Sequence, residues 1–336
     1  MAWKNAAGAA LAALLVAMPL QAQDVQWSTD RPDGHAPLGV HNDFTLPQGG
    51  VLVTYHYTRD ERAGLRSGTV PLFVDDVLDI FGVAPLALTS EGHLLDIRVG
   101  LTDELTASAS LPFTYRTATQ ATETRIFDTR SSGIGDLEVR LMYQVFNLDG
   151  YRAHLSLGAA APTGSIDETD VTPLGPGEVQ LPFQMQQGTG SWAVLPGFTV
   201  QAQNEFGTVG AQAEARIHTG FNDRGYRVGD RFRGTVWASY KLNDWVSASA
   251  RVTYESWQDV EGQDPDTDAL FDPAANPFAT GGTRAEIPFG VNIHFRDGAL
   301  AGHRASVEWF VPVHEDLHGP QLSSDRRLLV GFQLVF

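Results

Sequence analysis

Cysteine is absent from the 336-residue chain, which excludes a disulfide framework, a thiolate metal site and a cysteine nucleophile. Lysine is almost absent too, since Lys4 and Lys241 are the only two, and the formal net charge is −17. A chain with this acidic balance does not bind nucleic acid through a basic patch. Long apolar runs are also missing, because no stretch approaches the ~20 consecutive apolar residues that a transmembrane helix needs.

The first residues of the chain predict export. A positive charge precedes an apolar run over residues 6–16, and Leu20-Gln21-Ala22 is typical of a signal-peptide cleavage site. The run is too short to cross a bilayer as a helix. We therefore predict a signal peptide over residues 1–22, an N-terminal periplasmic segment over 23–50 and the main folded domain over 51–336.

Alternating polarity recurs along the main domain and predicts amphipathic β-strands. In residues 246–255, apolar side chains occupy every second position, and serine, threonine, arginine or glutamate occupies the others. Most such segments have the roughly nine to eleven residues that a tilted strand needs to cross a bilayer. The predicted strands cover residues 51–59, 93–101, 105–115, 133–146, 151–161, 191–203, 207–218, 230–242, 246–257, 284–295, 303–313 and 326–336.

The connections between these strands are alternately short and long. Tight connections rich in turn-forming residues are predicted on the periplasmic side, at 102–104, 147–150, 204–206 and 243–245. Longer polar segments are predicted as extracellular loops, at 60–92, 116–132, 162–190, 219–229 and 258–283. This pattern predicts an all-β fold, an antiparallel up-and-down transmembrane β-barrel of about 12 strands. Trp192, Tyr240, Trp245 and Trp309 are candidates for its aromatic girdle.

The closing strand, residues 326–336, alternates apolar and other side chains and ends on Phe336. It resembles the carboxy-terminal signal of bacterial outer-membrane barrels. The resemblance implies a location in the bacterial outer membrane, in contact with lipid and lipopolysaccharide, and recognition of Phe336 by the barrel-assembly machinery. Divalent cations that join acidic loops to anionic lipid headgroups are an alternative to plain solvation for the excess of negative charge.

Four further segments carry a family resemblance: residues 131–145 (SSGIGDLEVRLMYQV), 161–170 (APTGSIDETD), 181–197 (LPFQMQQGTGSWAVLPG) and 222–231 (NDRGYRVGDR). They resemble a group of Gram-negative outer-membrane β-barrels described as transporters, which is similar to the family of the MetA pathway of phenol degradation. The likeness covers roughly residues 44–336. It implies passive passage of small molecules, including aromatic or hydrophobic solutes, with no cofactor.

Charged residues at alternate strand positions are predicted to face the lumen, because an arginine facing lipid costs about 2–4 kcal/mol at the membrane midplane. These side chains either fill and stiffen a narrow interior with ion pairs or line an eyelet that selects solutes by charge. Glu214 and Arg216 lie opposite Arg231 and Arg233 in the predicted hairpin, so cross-strand ion pairs are expected there. The full set is Asp96, Arg98, Glu138, Arg140, Glu214, Arg216, Arg231, Arg233, Arg251, Glu255, Arg284, Glu286 and Glu308.

One predicted loop, 60–92, contains an apolar stripe with helical spacing that includes Phe73, Val77, Leu78 and Phe81. Pro71 precedes the stripe and Gly82 follows it, and these residues are typical of helix boundaries. The predicted helix either caps the rim of the barrel or folds over its mouth and gates the lumen.

Acidic residues crowd another loop, at Asp259, Glu261, Asp264, Asp266 and Asp268. Carboxylate oxygens suit hard cations, but the spacing does not match an EF-hand, so a solvated acidic loop is preferred over a metal site.

Two motifs suggest enzymes and are interpreted as chance matches. Residues 314–318 read H-E-x-x-H, but the zinc chemistry of that motif needs a helix and here it falls in a hairpin. His154 and Ser156 share a strand face but have no third group to orient the histidine. We therefore predict a passive channel with no catalytic residues and no cofactor. An outer-membrane enzyme acting on lipid and a closed structural barrel of the envelope are the alternatives.

Overall fold

The computed structural model describes residues 27–173 and 175–336. The predicted signal peptide lies outside the described residues. Within them, one α-helix is present, α1 (Val74–Leu78), with short 3₁₀ turns at Phe183–Met185, Pro273–Ala275, Pro277–Ala279 and Gly298–Leu300. None of these helices is long and apolar enough to cross a membrane.

The rest of the regular structure is β-sheet. The strands are β1 (Val51–Gly68), β2 (Val70–Leu72), β3 (Ala84–Gly100), β4 (Leu105–Ala121), β5 (Ile126–Ile134), β6 (Leu137–Leu148), β7 (Tyr151–Ala161), β8 (Thr169–Val171), β9 (Glu178–Gln180), β10 (Ala193–Gln203), β11 (Gly207–His218), β12 (Tyr226–Arg227), β13 (Arg231–Lys241), β14 (Val246–Trp257), β15 (Glu261–Gly262), β16 (Gly282–His294) and β17 (Arg304–Val335).

Eleven of these strands form a closed antiparallel ladder in chain order, from β1 through β3, β4, β6, β7, β10, β11, β13, β14 and β16 to β17, which pairs with β1. The last strand is 32 residues long, about 100 Å at the usual rise of ~3.3 Å per residue, so it cannot be a single crossing. The backbone reverses at Gly319, whose φ is +68°. The first half of β17 pairs with β16 and the second half with β1. The wall therefore has twelve crossings, and the predicted barrel of about 12 strands is confirmed.

The alternation of side chains across the wall also agrees with the sequence pattern. On β14, Ser249, Arg251 and Thr253 are buried inside the barrel, whereas Val252 and Tyr254 are exposed on the outside. An exposed apolar outer surface and a polar interior are the arrangement that a membrane-spanning barrel requires.

The short turns lie at one end of the barrel, where both ends of the ladder also meet. Asn204 and Asn243 each hold such a turn, because the side-chain oxygen accepts backbone N–H groups two and three residues further along. Val51 and Phe336 exchange backbone hydrogen bonds at this end.

The wall is much taller at the opposite end than the sequence predicts. The predicted loop 60–92 is wrong in large part, since β1 continues to Gly68 and β3 begins at Ala84. The predicted loop 116–132 is mostly the hairpin of β4 and β5. These extensions lack the alternation that marks a spanning strand, since residues 59–62 are all charged and residues 84–88 are all apolar.

The segment predicted as periplasmic, 23–50, has its described part largely inside the barrel. Most residues between 32 and 46 are buried, and their contacts reach strands on opposite sides of the wall, such as β10 through Gln201 and the second half of β17 through Gln333. We call residues 31–46 the internal segment. A polar lumen offers hydrogen-bond partners to the polar residues of this segment. Its apolar residues Ala36, Leu38, Val40, Phe44 and Leu46 lie at alternate positions and are buried, an alternation that the sequence analysis did not use.

Candidate functional site

Buried ion pairs bind the internal segment to the wall in the periplasmic half of the lumen. Arg98 donates to Asp43 of the segment (2.8 Å) and to Asp96 on its own strand (2.9 Å). Ser110 donates to the second oxygen of Asp96 (2.7 Å). The Arg98, Asp43 and Asp96 side chains are all almost completely buried. These predicted lumen residues therefore line the barrel interior and hold a second part of the chain there.

A second buried pair lies on the opposite wall. Arg251 and Glu308 are 3.0 Å apart and both are buried. The N–H of Gly39, in the internal segment, donates to Oε2 of Glu308 (2.6 Å). The Arg251 guanidinium also stacks on the ring of Phe310, 5.0 Å from its centroid. Both pairs at this level involve wall residues from the predicted lumen set.

The internal segment makes three small apolar contacts with the wall, one of which packs Phe44 and Leu46 on Leu52. Leu38 packs with Phe310 and Leu329, and Ala36 and Val40 pack on Trp237. Most of the remaining wall at this level is polar, with buried side chains that include Thr54, Ser108, Thr199, Gln201, Gln212, Ser247 and Asn292. The segment closes the periplasmic half of the lumen mainly through polar contacts.

A cavity of about 480 Å³ lies above the internal segment, with His41 and Asn42 in its floor. Charged side chains from β4, β6, β11 and β13 form its walls. Predicted lumen residues in this lining are Glu138, Arg140, Glu214, Arg216, Arg231 and Arg233. The structure therefore brings these six together at one level of the barrel.

The ion pairs among them differ from the expected ones. Arg233 lies opposite Glu214 and Arg231 opposite Arg216 in the register of β11 and β13. The side chains nevertheless pair elsewhere: Arg231 and Arg233 both contact Glu255, each at 3.3 Å. The expected Glu214/Arg216 to Arg231/Arg233 pairing is therefore wrong, because a carboxylate on the other neighbouring strand lies closer.

The carboxylates of β6 and β11 serve two other arginines. Arg140 is paired with Glu138 (3.1 Å) and lies 3.5 Å from Glu214. Arg216 is paired with Glu138 as well. These four groups balance one another, so they contribute no excess charge to the cavity.

A second cavity, about 420 Å³, adjoins the first towards the extracellular mouth. Its lining includes Trp257, whose indole N–H donates to the Thr280 carbonyl (2.7 Å) and so fixes the ring. Arg231 and Arg284 lie on this ring, with Cζ 5.7 and 5.5 Å from its centroid. Cation–π contacts of this kind keep a guanidinium and an aromatic face side by side.

The remaining predicted lumen residues support this second cavity. Arg284 is paired with buried Glu315 (2.7 Å), and Glu286 is paired with Arg327. Arg62, Arg116 and Arg327 also line it and were missed by the sequence analysis. Arg62 and Arg116 lie in segments predicted as loops, so no inward orientation was assigned to them.

The loop between β7 and β10 folds into the mouth above the cavities. The Gln187 side chain there contacts Thr114 and Ser131 of the wall, and Arg116 donates to the Gln186 carbonyl. Leu181 and Met185 join an apolar cluster with Leu65, Leu88, Ala118 and Leu322. The mouth is therefore narrowed by this inward-folded loop, which the sequence analysis predicted only as an extracellular loop, residues 162–190.

Helix α1 lies at the edge of the same cluster. Val77 is buried in it, and Leu78 and Phe81 pack against it. Phe73 points away and is 79% exposed, so it does not share the contacts of the other three candidates. The helix is only five residues long and sits on the rim.

The acidic loop residues contact cations of the protein, mostly on other loops. Arg224 contacts Asp264 and Asp266 of this loop and Asp167 of the β7–β10 loop. Partial burial lowers the pKa of Arg224, but these contacts outweigh it and raise the pKa above its usual range.

The other acidic residues of the loop have separate partners. Asp259 contacts His318 and Glu261 contacts Arg227, while Asp268 accepts the N–H of Leu270. Among the described residues no group of three His, Cys, Asp or Glu side chains is placed to hold a metal ion.

The two enzyme-like motifs have ordinary positions. Residues 314–318 lie on a strand of β17, where Glu315 is buried and paired with Arg284 while His314 is exposed on the other face. His154 Nε2 contacts the Asn42 carbonyl (2.9 Å) of the internal segment. Neither arrangement supplies a nucleophile with an oriented base.

A closed antiparallel barrel with an apolar outer face and a charged, polar lumen has the architecture of outer-membrane channels. Residues 29–295 match the model of one family, described as "Putative MetA-pathway of phenol degradation". The chain belongs to this family, as its sequence resemblance indicated. No curated protein sequence matches the chain.

Comparison with solved structures identifies one that shares the fold. An outer-membrane channel from Pseudomonas putida F1 superimposes with a TM-score of 0.63 at 15% identity, over 89% of this chain and 100% of that chain. A FadL homologue from Pseudomonas aeruginosa gives a TM-score of 0.45 at 9% identity, over 94% of this chain and 99% of that one. The CymD monoaromatic hydrocarbon channel gives 0.38 at 11%, over 87% and 89%. Only the first of these scores is high enough to show a common fold.

Proposed function

We propose that the protein is a passive outer-membrane channel for small molecules. The observation that carries this proposal is the polar lining of the lumen, both around the internal segment and in the cavity above it. Ion pairs that only stiffen a barrel would also make its interior polar, but a solute path needs open space as well, and two adjoining cavities of about 480 and 420 Å³ provide it. Passage by diffusion needs no covalent step.

The internal segment is the proposed gate of this channel. Its withdrawal leaves Arg98 with Asp96 and Arg251 with Glu308, so these buried charges of the wall keep their partners. Asp43 would be released to water, where a carboxylate is well solvated. The polar interface is therefore suited to opening, since water can replace most of the contacts that it loses.

The proposed solutes are small, and aromatic ones are included. The description of the family refers to phenol degradation, and the second cavity presents Trp257, Phe183 and Leu88 beside its polar groups. A cavity of about 420 Å³ lies in the size range of small-molecule sites. This mixture of faces supports amphiphilic solutes more than purely apolar ones.

A closed structural barrel is the second candidate, and the internal segment itself favours it. The two are separated by planar-bilayer conductance of the mature protein and of a variant that lacks residues 31–46. The channel hypothesis predicts discrete steps from the mature protein and larger, permanent steps from the deletion variant. Silence of the correctly folded mature protein, with steps from the deletion variant only, would support the structural barrel instead.

A further inference from the structure

The junction between the two cavities is rich in positive charge. Seven residues line both of them, and three of these are arginines while none is acidic. The shared residues are Arg116, Gln187, Thr189, Val228, Gly229, Arg231 and Arg233. This sign is opposite to that of the whole chain, whose formal charge is −17.

The carboxylates near the junction do not balance these arginines. Arg231 and Arg233 share one partner, Glu255. Arg116 forms no ion pair with any described residue, and its hydrogen bonds go to the Gln186 carbonyl and the Gln187 side chain. Three guanidinium groups therefore share one paired carboxylate. Asp136 also lines the first cavity and accepts hydrogen bonds from Thr189, which leaves an excess of one positive charge at the junction.

Other cavity arginines do not add to this excess. Arg62, Arg284 and Arg327 each have a carboxylate of their own, at Asp60, Glu315 and Glu286. The surplus is thus confined to the junction and is not a general property of the lumen.

An apolar surface lies beside the charged groups. Trp257 lies beside Arg231, and Leu88, Phe183, Val228, Val260 and Leu322 are among the apolar residues of the second lining. Arginine binds planar carboxylates through two parallel N–H donors, and the indole offers a face to an aromatic ring. One end of a ligand would meet positive charge and the other an apolar wall.

We infer that this junction is a binding site for small aromatic carboxylates, which pass through the proposed channel as anions. Arg231, Arg233 and Arg116 would bind the carboxylate, and Trp257 with its apolar neighbours would bind the ring. Glu255 competes with the ligand for the same two arginines and so limits its affinity. This inference rests on the proposed function, because it names the solute class of the same lumen.

The test is a calorimetric titration of the refolded protein with three ring compounds of similar size, namely benzoate, benzyl alcohol and benzylamine, each corrected for its binding to detergent alone. We expect benzoate to bind about tenfold more tightly than benzyl alcohol, since hydrogen bonds between two charged groups are stronger than those to a neutral hydroxyl. Benzylamine is expected to bind most weakly. Equal affinities, or a preference for the amine, would overturn the inference.

Variants locate the site. Arg231→Gln and Arg116→Gln should each remove most of the benzoate preference, whereas Arg125→Gln, which removes a charge from an exposed loop, should leave it unchanged. Glu255→Gln should increase benzoate affinity, a gain that mere loss of structure would not produce. Unchanged affinity in both Glu255→Gln and Arg231→Gln would exclude this site. The shift of band mobility on heating in gel electrophoresis serves as the check of folding.

Flux separates this inference from the proposed function. Liposomes that contain the protein are assayed for entry of benzyl alcohol and of benzoate. Flux of both without preference would contradict the carboxylate site and leave the channel intact. Benzoate binding without any flux would contradict the channel and leave the site.

Discussion

Single buried residues hold the internal segment, and Arg98 is the main one. Its guanidinium bonds to Asp43 of the segment and Asp96 of the wall. Arg98→Ala leaves two carboxylates buried without their cation, and breaking buried pairs in this way costs about 3–5 kcal/mol. We expect urea unfolding in detergent to show a loss of that order.

The comparison with Asp43 makes this prediction specific. Asp43→Asn keeps a hydrogen-bond acceptor and leaves Arg98 with Asp96, so a smaller loss is expected. A double-mutant cycle of Arg98→Ala and Asp43→Asn should show clear coupling between the two residues. Additive effects would mean that the ion pair does not fasten the segment.

Asp272, in an extracellular loop, is expected to make the stability of the folded protein depend on pH. Burial raises the pKa of Asp272 to about 6, opposed by hydrogen bonds from the Ala274 N–H and the Gln120 side chain. The folded state therefore holds its proton up to a higher pH than the unfolded state, and stability falls as pH rises from about 4 to about 6. Above about pH 6 this loss of stability is complete, and it amounts to at most about 3 kcal/mol.

The measurement for Asp272 is urea unfolding at pH 4.5 and at pH 7.5, in the protein and in Asp272→Asn. Between pH 4.5 and pH 7.5 the free energy of unfolding should fall less in Asp272→Asn than in the unchanged protein. Asp244→Asn is the control, because Asp244 is fully exposed and lies at the periplasmic end. An identical pH dependence in all three proteins would contradict the assignment.

Strands and the C-terminal closure were predictable from sequence because lipid imposes a two-residue period on them. Strands β7, β11 and β14 have the predicted bounds, 151–161, 207–218 and 246–257. The extracellular parts of β1 and β3 were not predictable, since residues 59–62 are all charged and residues 84–88 are all apolar, so neither stretch alternates. Period alone identifies only the part of a strand that meets lipid.

The internal segment and the inward-folded β7–β10 loop were hidden for a related reason. A globular core demands apolar partners, whereas a polar lumen accepts residues such as Asn42, Asp43 and Gln187. Composition therefore could not distinguish them from solvated segments. The inward orientation of the thirteen charged candidates was predictable, but their partners were not, because pairing depends on the neighbouring strand and on side-chain reach.

Helix α1 packs against the apolar cluster at the mouth through its one buried residue, Val77. Val77→Ser removes an apolar contact from the cluster at the mouth, so the rim should loosen. In the variant that lacks residues 31–46, we expect Val77→Ser to increase single-channel conductance or its fluctuations. Phe73→Ser is the matched control, because Phe73 is exposed on the same helix. Equal conductance in the Val77→Ser and Phe73→Ser variants would show that α1 has no influence on the width of the mouth.

The whole molecule combines an open extracellular half with a closed periplasmic half. Two cavities face the outside, and the internal segment separates them from the other end of the barrel. The absence of cysteine makes this arrangement easy to test, since two introduced thiols have only each other as partners. An ideal Cβ at Gly331 lies 2.6 Å from Cδ1 of Leu38, so Leu38→Cys with Gly331→Cys places two thiols for a disulfide between segment and wall.

The most direct measurement is the planar-bilayer conductance of this double-cysteine protein before and after reduction in the same membrane. The proposed gate predicts silence while the disulfide is intact and discrete steps once a reductant is added. Each single-cysteine variant should conduct in both conditions. Equal conductance of the oxidised and reduced protein would contradict the account, because solutes would then cross while the internal segment stays in place.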